Sequence, residues 1–318
     1  MSNTMTHAER IIFDTDIGTD VDDALALALI LRSSDLQLEG VTCVYGDVGL
    51  RARMVIKMLQ LGGQPEVPVR VGLREPLLRL QPVFWLGHEG QGLLEPGDEM
   101  LAPEREHAVD FMVRTVMENP GQIHLVAVGP LTNVAMAFLK EPRLPEQLAQ
   151  LTIMGGVIRG PDDLHLPYVE HNIRCDPEAA HVVLSSEARI TLIPLDVTTK
   201  VRITREGTER IRAGGTAFHD AVARQVELYP PFAERGYTFM HDPLAVAVVI
   251  RPDLVRLEDL HVDVELHGRH AAAATLARTP IDDAPANARV ALEVDAGAFE
   301  EFYLSRLEGA KASAGTGA

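Results

Sequence analysis

Asp14, Asp16, Asp20, Asp22 and Asp23 crowd one stretch, Asp14-Thr15-Asp16-Ile17-Gly18-Thr19-Asp20-Val21-Asp22-Asp23-Ala24, between an apolar strand-like run and an apolar helix-like run. Carboxylates placed so close repel one another and are costly to desolvate unless something positive joins them. A hard divalent cation held by oxygen ligands removes that difficulty, so the loop reads as a metal site. Asp22 and Asp23 could instead cap the helix that follows, because carboxylates are favoured at helix N-termini. Capping accounts for two aspartates and leaves the other three unexplained. Gly18 among them suits a turn with φ > 0 or a close backbone approach to a ligand.

Three further segments carry groups capable of chemistry. His241-Asp242-Pro243 opens a helix, with Asp242 placed to cap it and Pro243 at the first helical position. Asp176-Pro177-Glu178 repeats the pattern, so capping accounts for much of both. His241 is the difference: it could reach the mouth of a site as a general acid, although a structural histidine is the plainer reading. In Glu170-His171-Asn172 the acid and the amide share one face if the segment is extended, where they could receive sugar hydroxyls; a solvated loop is the alternative. Trp85 precedes Leu86-Gly87-His88-Glu89-Gly90-Gln91-Gly92, a glycine-rich flap. Pro96 and Gly97 spoil the helix that a phosphate-cradling loop would need, so a lid over a ligand fits better.

The elements that must position these groups alternate along the chain. Strands are expected at 11–14, 38–44, 67–71, 123–128, 151–154 and 190–195, with later ones at 262–265 and 290–294. Helices are expected at 22–32, 50–61, 104–118, 131–140, 177–186, 216–234 and 243–250. This order predicts an α/β fold, an open, mostly parallel sheet with helices on both faces. Ligands of such sheets bind at the C-terminal ends of the strands, so the Asp loop, Gly46-Asp47, Gly129-Pro130-Leu131-Thr132-Asn133, Met154-Gly155-Gly156 and Asp196 should crowd one rim. Residues 1–310 read as a single domain, with Ser2 to Glu9 loose and 311–318 a flexible Gly/Ala/Ser tail.

Among the 318 residues the net charge of −17 argues against nucleic acid or an anionic membrane surface as partner. No apolar run is long enough to span a bilayer, and the first ten residues are too polar for a signal peptide. With only Cys43 and Cys175, far apart in sequence, a reduced cytoplasmic protein is expected.

Taken together, the Asp loop, Gly129 to Asn133, Met154 to Gly156, Glu170 to Asn172 followed by Asp176 to Ala180, and His241 to Pro243 resemble, in order and spacing, the calcium-dependent nucleoside hydrolases of the inosine-uridine-preferring family. The resemblance runs from about residue 10 to residue 308. It implies hydrolysis of the N-glycosidic bond of ribonucleosides to free base and ribose, by a Ca²⁺-bound water through an oxocarbenium-like transition state. It implies Asp16, Asp23, Asp242 and the backbone carbonyl of Val128 as calcium ligands, with Asp16 also the base. Asp22, Asp47, Met154, Glu170, Asn172 and Asp242 would contact the ribose. The Asn172 amide oxygen would help to stabilise its positive charge, and His241 would meet the leaving base. His88 in the flap is a further substrate-side candidate. The partner implied is a small ribonucleoside, and the assembly a homodimer or homotetramer.

The chain also departs from the family pattern. Its Asp loop is two residues longer than the shortest form, so Asp20 competes with Asp16 or Asp22 for a role. Asp47 stands where many members have asparagine, His171 where an aromatic or apolar residue is usual, and Leu164 where some have asparagine. Two other classes compete: a non-catalytic nucleoside- or sugar-binding protein, and an Mg²⁺-dependent phosphohydrolase using an aspartate of Asp14-Thr15-Asp16 as nucleophile. Against the second, Gly18 occupies the position of that family's threonine.

Overall fold

Ile11 and Phe13 turn to one side of their strand and Ile12 to the other, and each side meets a separate apolar core. The period of two is that of a strand buried on both faces. The computed structural model describes residues 8–80, 82–159 and 165–308. Its strands are β1 (Glu9–Thr15), β2 (Leu36–Cys43), β3 (Val69–Val71), β4 (Ile123–Ala127), β5 (Gln150–Met154), β6 (Ile190–Ile193), β7 (Arg202–Thr204), β8 (Tyr237–Phe239), β9 (Val255–Val264), β10 (Thr275–Arg278) and β11 (Ala288–Val294). The main sheet has the order β10-β9-β11-β6-β5-β4-β1-β2-β3. From β11 to β3 it is parallel, and β9 and β10 extend one edge antiparallel. The expected open, mostly parallel sheet with helices on both faces is the one observed. β7 and β8 form a separate antiparallel ribbon.

Register brings the strand ends to one rim. Phe13 lies opposite Val41 and Val126, and Asp14 opposite Thr42 and Ala127, so the chain leaves β1, β2 and β4 at the same level. The helix Asp22–Leu31 is buried at every position and packs on the helix His241–Ile250. Burial all round explains why neither helix shows a polar face in sequence. The Tyr303 hydroxyl, from the helix Ala296–Glu308, donates to the Leu25 carbonyl at 3.1 Å and covers this pair.

Several expectations need correction. Glu9, expected in a loose terminus, pairs with Leu36 in β1. The helix expected over 216–234 is two, Ala217–Leu228 and Pro230–Arg235. Pro230 and Pro231 supply no N–H to continue the first helix, and the chain turns at Tyr229. Glu170 to Asn172 is not extended: His171–Cys175 is a short helix with Glu170 as its N-cap. The connection between the two late strands holds β10, and the β7–β8 ribbon is too short to show a period. Leu164 and the tail at 311–318 lie outside the described residues. Among the described residues no helix is long and apolar enough to cross a membrane.

Candidate active site

A cavity of about 410 Å³ opens at the C-terminal rim of the parallel strands. Asp16, Asp22, Asp23, Val128, Met154, Glu170, Asn172, His241 and Asp242 all line it, although they come from widely separated parts of the chain. Its size is that of a small-molecule pocket.

The acidic floor comes from two helix starts. One carboxylate oxygen each from Asp22, Asp23 and Asp242 lies within 4.8 Å of the others, and all three residues are buried. They occupy the first turns of the helices Asp22–Leu31 and His241–Ile250, whose N-caps are Val21 and Met240 without side-chain caps. Capping therefore does not account for them, whereas Asp176 is a true cap, accepting from the Ala179 N–H at 3.1 Å. Thr15 Oγ1 donates to Asp23, and the Asp242 N–H points at Asp22 Oδ2 from 3.4 Å.

Both helix dipoles present partial positive charge to the cluster. It is not enough. Burial first, then the neighbouring aspartates, push the carboxyls of Asp22, Asp23 and Asp242 well above the usual carboxylate range. A set of hard oxygen donors that repel one another in a buried floor fits a divalent cation, which would reverse that repulsion. Asp16 lines the same cavity outside this tightest trio. Burial raises its pKa and the guanidinium of Arg51, 3.8 Å from Oδ2, opposes the rise. Of the four expected metal ligands, Asp23 and Asp242 are in the trio, while Asp16 and Val128 stand at the cavity wall. Asp22, expected on the ribose, completes the trio.

The opposite wall is built by hydrogen bonds between motifs. Glu170 accepts from the N–H groups of Asn172, Ile173 and Gly156 at 2.7, 3.0 and 3.1 Å, joining its own segment to Met154-Gly155-Gly156. Asn172 Nδ2 donates to the Val128 carbonyl at 2.7 Å and the Met154 carbonyl at 3.3 Å. Both partners are acceptors, so the amide orientation is set and Oδ1 is left for a ligand. His241 Nδ1 lies 2.7 Å from Thr198 Oγ1, and burial pushes its pKa down to about 4, making it a neutral imidazole rather than a cation.

Comparison with known proteins identifies the family. Residues 11–301 match the family model for inosine-uridine preferring nucleoside hydrolase. The chain belongs to that family. A pyrimidine-specific ribonucleoside hydrolase, RihA, of Citrobacter koseri is 32% identical over 307 residues, covering 93% of this chain and 97% of its own. Among solved structures, a plant nucleoside hydrolase superposes with a TM-score of 0.85 at 26% identity, covering 96% of this chain and 100% of its own. A purine-preferring ribonucleoside hydrolase from Gardnerella vaginalis gives a TM-score of 0.84 at 29% identity, covering 94% and 98%.

In this nucleoside hydrolase two expected substrate contacts stand elsewhere. Asp47 is exposed and caps the helix Val48–Gly62, accepting from the Gly49 and Leu50 N–H groups at 3.1 and 3.0 Å. It borders a separate surface hollow with Arg74 and Trp85. His88 Nε2 meets the Thr19 carbonyl at 3.1 Å and lines a small neighbouring hollow with Gly18 and Tyr229. Asp20 holds the Val21 N–H and the Tyr229 hydroxyl, at 2.6 and 2.7 Å, and so anchors the longer loop to the break between two helices. Of the aromatics Tyr229, Phe232 and Tyr237, only Tyr229 reaches the cavity; Phe232 is buried in the core.

Further residues support the site from outside the cavity. Asp14 lies beneath the floor, accepting from Thr42 Oγ1 at 2.6 Å and Asn133 Nδ2 at 2.8 Å, with burial raising its pKa to about 7. Wholly buried there, it cannot meet a phosphate, which removes it as the nucleophile of a phosphohydrolase. Asn133 Oδ1 also accepts from the Leu73 N–H, tying the ends of β1 and β3. Thr132 donates to Asp176 at 2.6 Å, so Gly129 to Asn133 and the Asp176 cap are one joint. Arg51, buried within an ordinary amphipathic helix, was invisible as a site component.

Proposed function

We propose that this nucleoside hydrolase cleaves ribonucleosides at a calcium centre by direct displacement, without a covalent intermediate. The observation that carries the reading is the buried trio Asp22, Asp23 and Asp242 facing the free Asn172 amide oxygen across one cavity. Bound at the floor, calcium would supply a positive charge able to hold water and two ribose hydroxyls and to lower the pKa of that water. Its preference for six to eight oxygens suits the carboxylates of Asp16, Asp22, Asp23 and Asp242 and the Val128 carbonyl.

The protein's groups do the rest. Asp16 takes the proton from the attacking water. Positive charge grows on the ribose as the N-glycosidic bond breaks, and Asn172 Oδ1 and the Glu170 carboxylate stabilise it from the wall. Met154 packs against the sugar. His241, neutral at pH 7, donates a hydrogen bond to the departing base. Phe84 and His171, edge-on at 5.3 Å, and Tyr229 offer an aromatic surface for that base. The family resemblance also implies a homodimer or homotetramer, and the two unpaired cysteines, Cys43 and Cys175, fit the reducing cytoplasm.

The test is release of reducing sugar from inosine, uridine and cytidine, with and without a chelator. Activity that survives chelation counts against calcium. Tight nucleoside binding by calorimetry without turnover would instead select the non-catalytic reading.

A further inference from the structure

Beneath the acidic loop lies one cation that the proposed chemistry does not use. Arg51 is fully buried on the helix Val48–Gly62. Its Nε donates to the Tyr45 carbonyl at 2.6 Å, Nη1 to the Ile17 carbonyl at 2.8 Å, and Nη2 to Thr19 Oγ1 at 3.0 Å. Nη2 also stands 3.8 Å from Asp16 Oδ2. Ile17 and Thr19 belong to the loop between Asp16 and Asp22, and Tyr45 to the loop after β2. One planar fork therefore fixes two rim loops at once, which the single point charge of a lysine could not do.

The same guanidinium carries the flap. Its carbon lies 5.1 Å from the centre of the Trp85 ring. That ring is pressed onto Gly46, where an added Cβ would come within 2.8 Å of it. The loop is packed as tightly from below: at Gly18, with φ +115°, a Cβ would meet Met54 Sδ of the same helix at 2.9 Å. His88, further along the flap, also meets Thr19. Flap and metal loop thus share two joints, at Arg51 and at Thr19.

We propose that Arg51 is a positioning residue that braces the metal-binding loop from beneath and locks the Trp85 flap to it. The inference rests on the calcium reading of the floor and adds that loop and flap are set as one unit. Removing the fork would loosen Ile17 and Thr19, and with them the placement of Asp16, while the trio on the two helix starts stays in place. Supporting groups of this kind typically contribute about 10- to 100-fold in metal affinity or activity.

Trp85 is the sole tryptophan of the chain, so its emission reports on this joint directly. Calcium is titrated into the metal-free full chain and into Arg51→Lys, followed by calorimetry and by Trp85 emission, with kcat and KM measured on inosine and uridine. In the wild type the two titrations should share one midpoint. Arg51→Lys should melt near the wild type, bind calcium at least tenfold more weakly with the emission change lost, and lose kcat more than it raises KM. A folded Arg51→Lys within twofold of the wild type in affinity, emission change and kcat overturns the inference alone. A wild type that neither binds calcium nor releases ribose overturns the calcium chemistry, and the brace with it. Should Arg51→Lys fail to fold, Thr19→Val removes only the Nη2 acceptor: a lower kcat with a smaller emission change supports the brace, and wild-type behaviour refutes it.

Discussion

The Asp22 carboxylate lies 3.4 Å from the backbone N–H of Asp242, 220 residues further along the chain. That contact brings the starts of two buried helices together and gathers like charges that neither helix needs for capping. The metal-free protein should therefore be strained at this point. At a calcium concentration about 100 times Kd, binding to the folded state alone stabilises by about 2.7 kcal/mol, a rise in Tm of roughly 5 °C for a chain of this size. Differential scanning fluorimetry with and without calcium checks it. Asp23→Asn should raise the Tm of the metal-free protein and abolish the calcium-induced rise. A variant that still responds fully to calcium would remove Asp23 from the ligand set.

Asn172 offers a test of the wall. Its Nδ2 is committed to the carbonyls of Val128 and Met154, which leaves the amide oxygen for the sugar in the proposed reaction. In Asn172→Asp a carboxylate would oppose two carbonyl oxygens, and the side chain should turn away or disturb Val128. We expect kcat to fall about 100-fold, with a smaller change in KM, the size typical of a lost electrostatic partner of a transition state. An unchanged or faster Asn172→Asp enzyme would mean that negative charge alone is wanted there and that the amide orientation is unimportant.

Asp47 separates resemblance from geometry. By its place in the motif it should touch ribose, yet it is exposed and spends one oxygen on two helix N–H groups. Asp47→Ala should thus cost about 1 kcal/mol of stability, as loss of an N-cap does, and leave kcat/KM on inosine and uridine close to wild type. A large rise in KM with an unchanged Tm would return Asp47 to the substrate.

The Asp loop was legible because like charge at that density has few explanations, and the sheet because apolar runs alternated with helical ones. Which aspartates share the closest contact was not legible. The helix start at Asp22 matches the expected 22–32, but the residues alone do not say that the helix His241–Ile250 packs on it and brings Asp242 to Asp22 and Asp23. Arg51 was hidden for a different reason: one arginine in an amphipathic helix reads as a solvated residue until the loop above it is folded. Glu170 and Asn172 do line one cavity, but not by the route expected. They meet through a helix cap rather than along an extended segment.

Far from the metal floor, the buried His124 on β4 contributes to the acid sensitivity of the fold. Its Nε2 lies 2.8 Å from Thr152 Oγ1, and burial lowers its pKa from 6.5 to about 4. Below the unfolded value the unfolded chain binds a proton that the folded chain refuses. Stability is therefore complete above about pH 6.5 and falls as the pH drops toward 4. At pH 5 the loss from this one ring is about 2 kcal/mol. His124→Gln keeps a partner for Thr152 and does not titrate, so it should lose about that much less than the wild type between pH 7.5 and pH 5. Urea unfolding midpoints at the two pH values, measured on the metal-free proteins, read the difference. Parallel losses in the two proteins would show that His124 takes up its proton without unfolding the sheet around it.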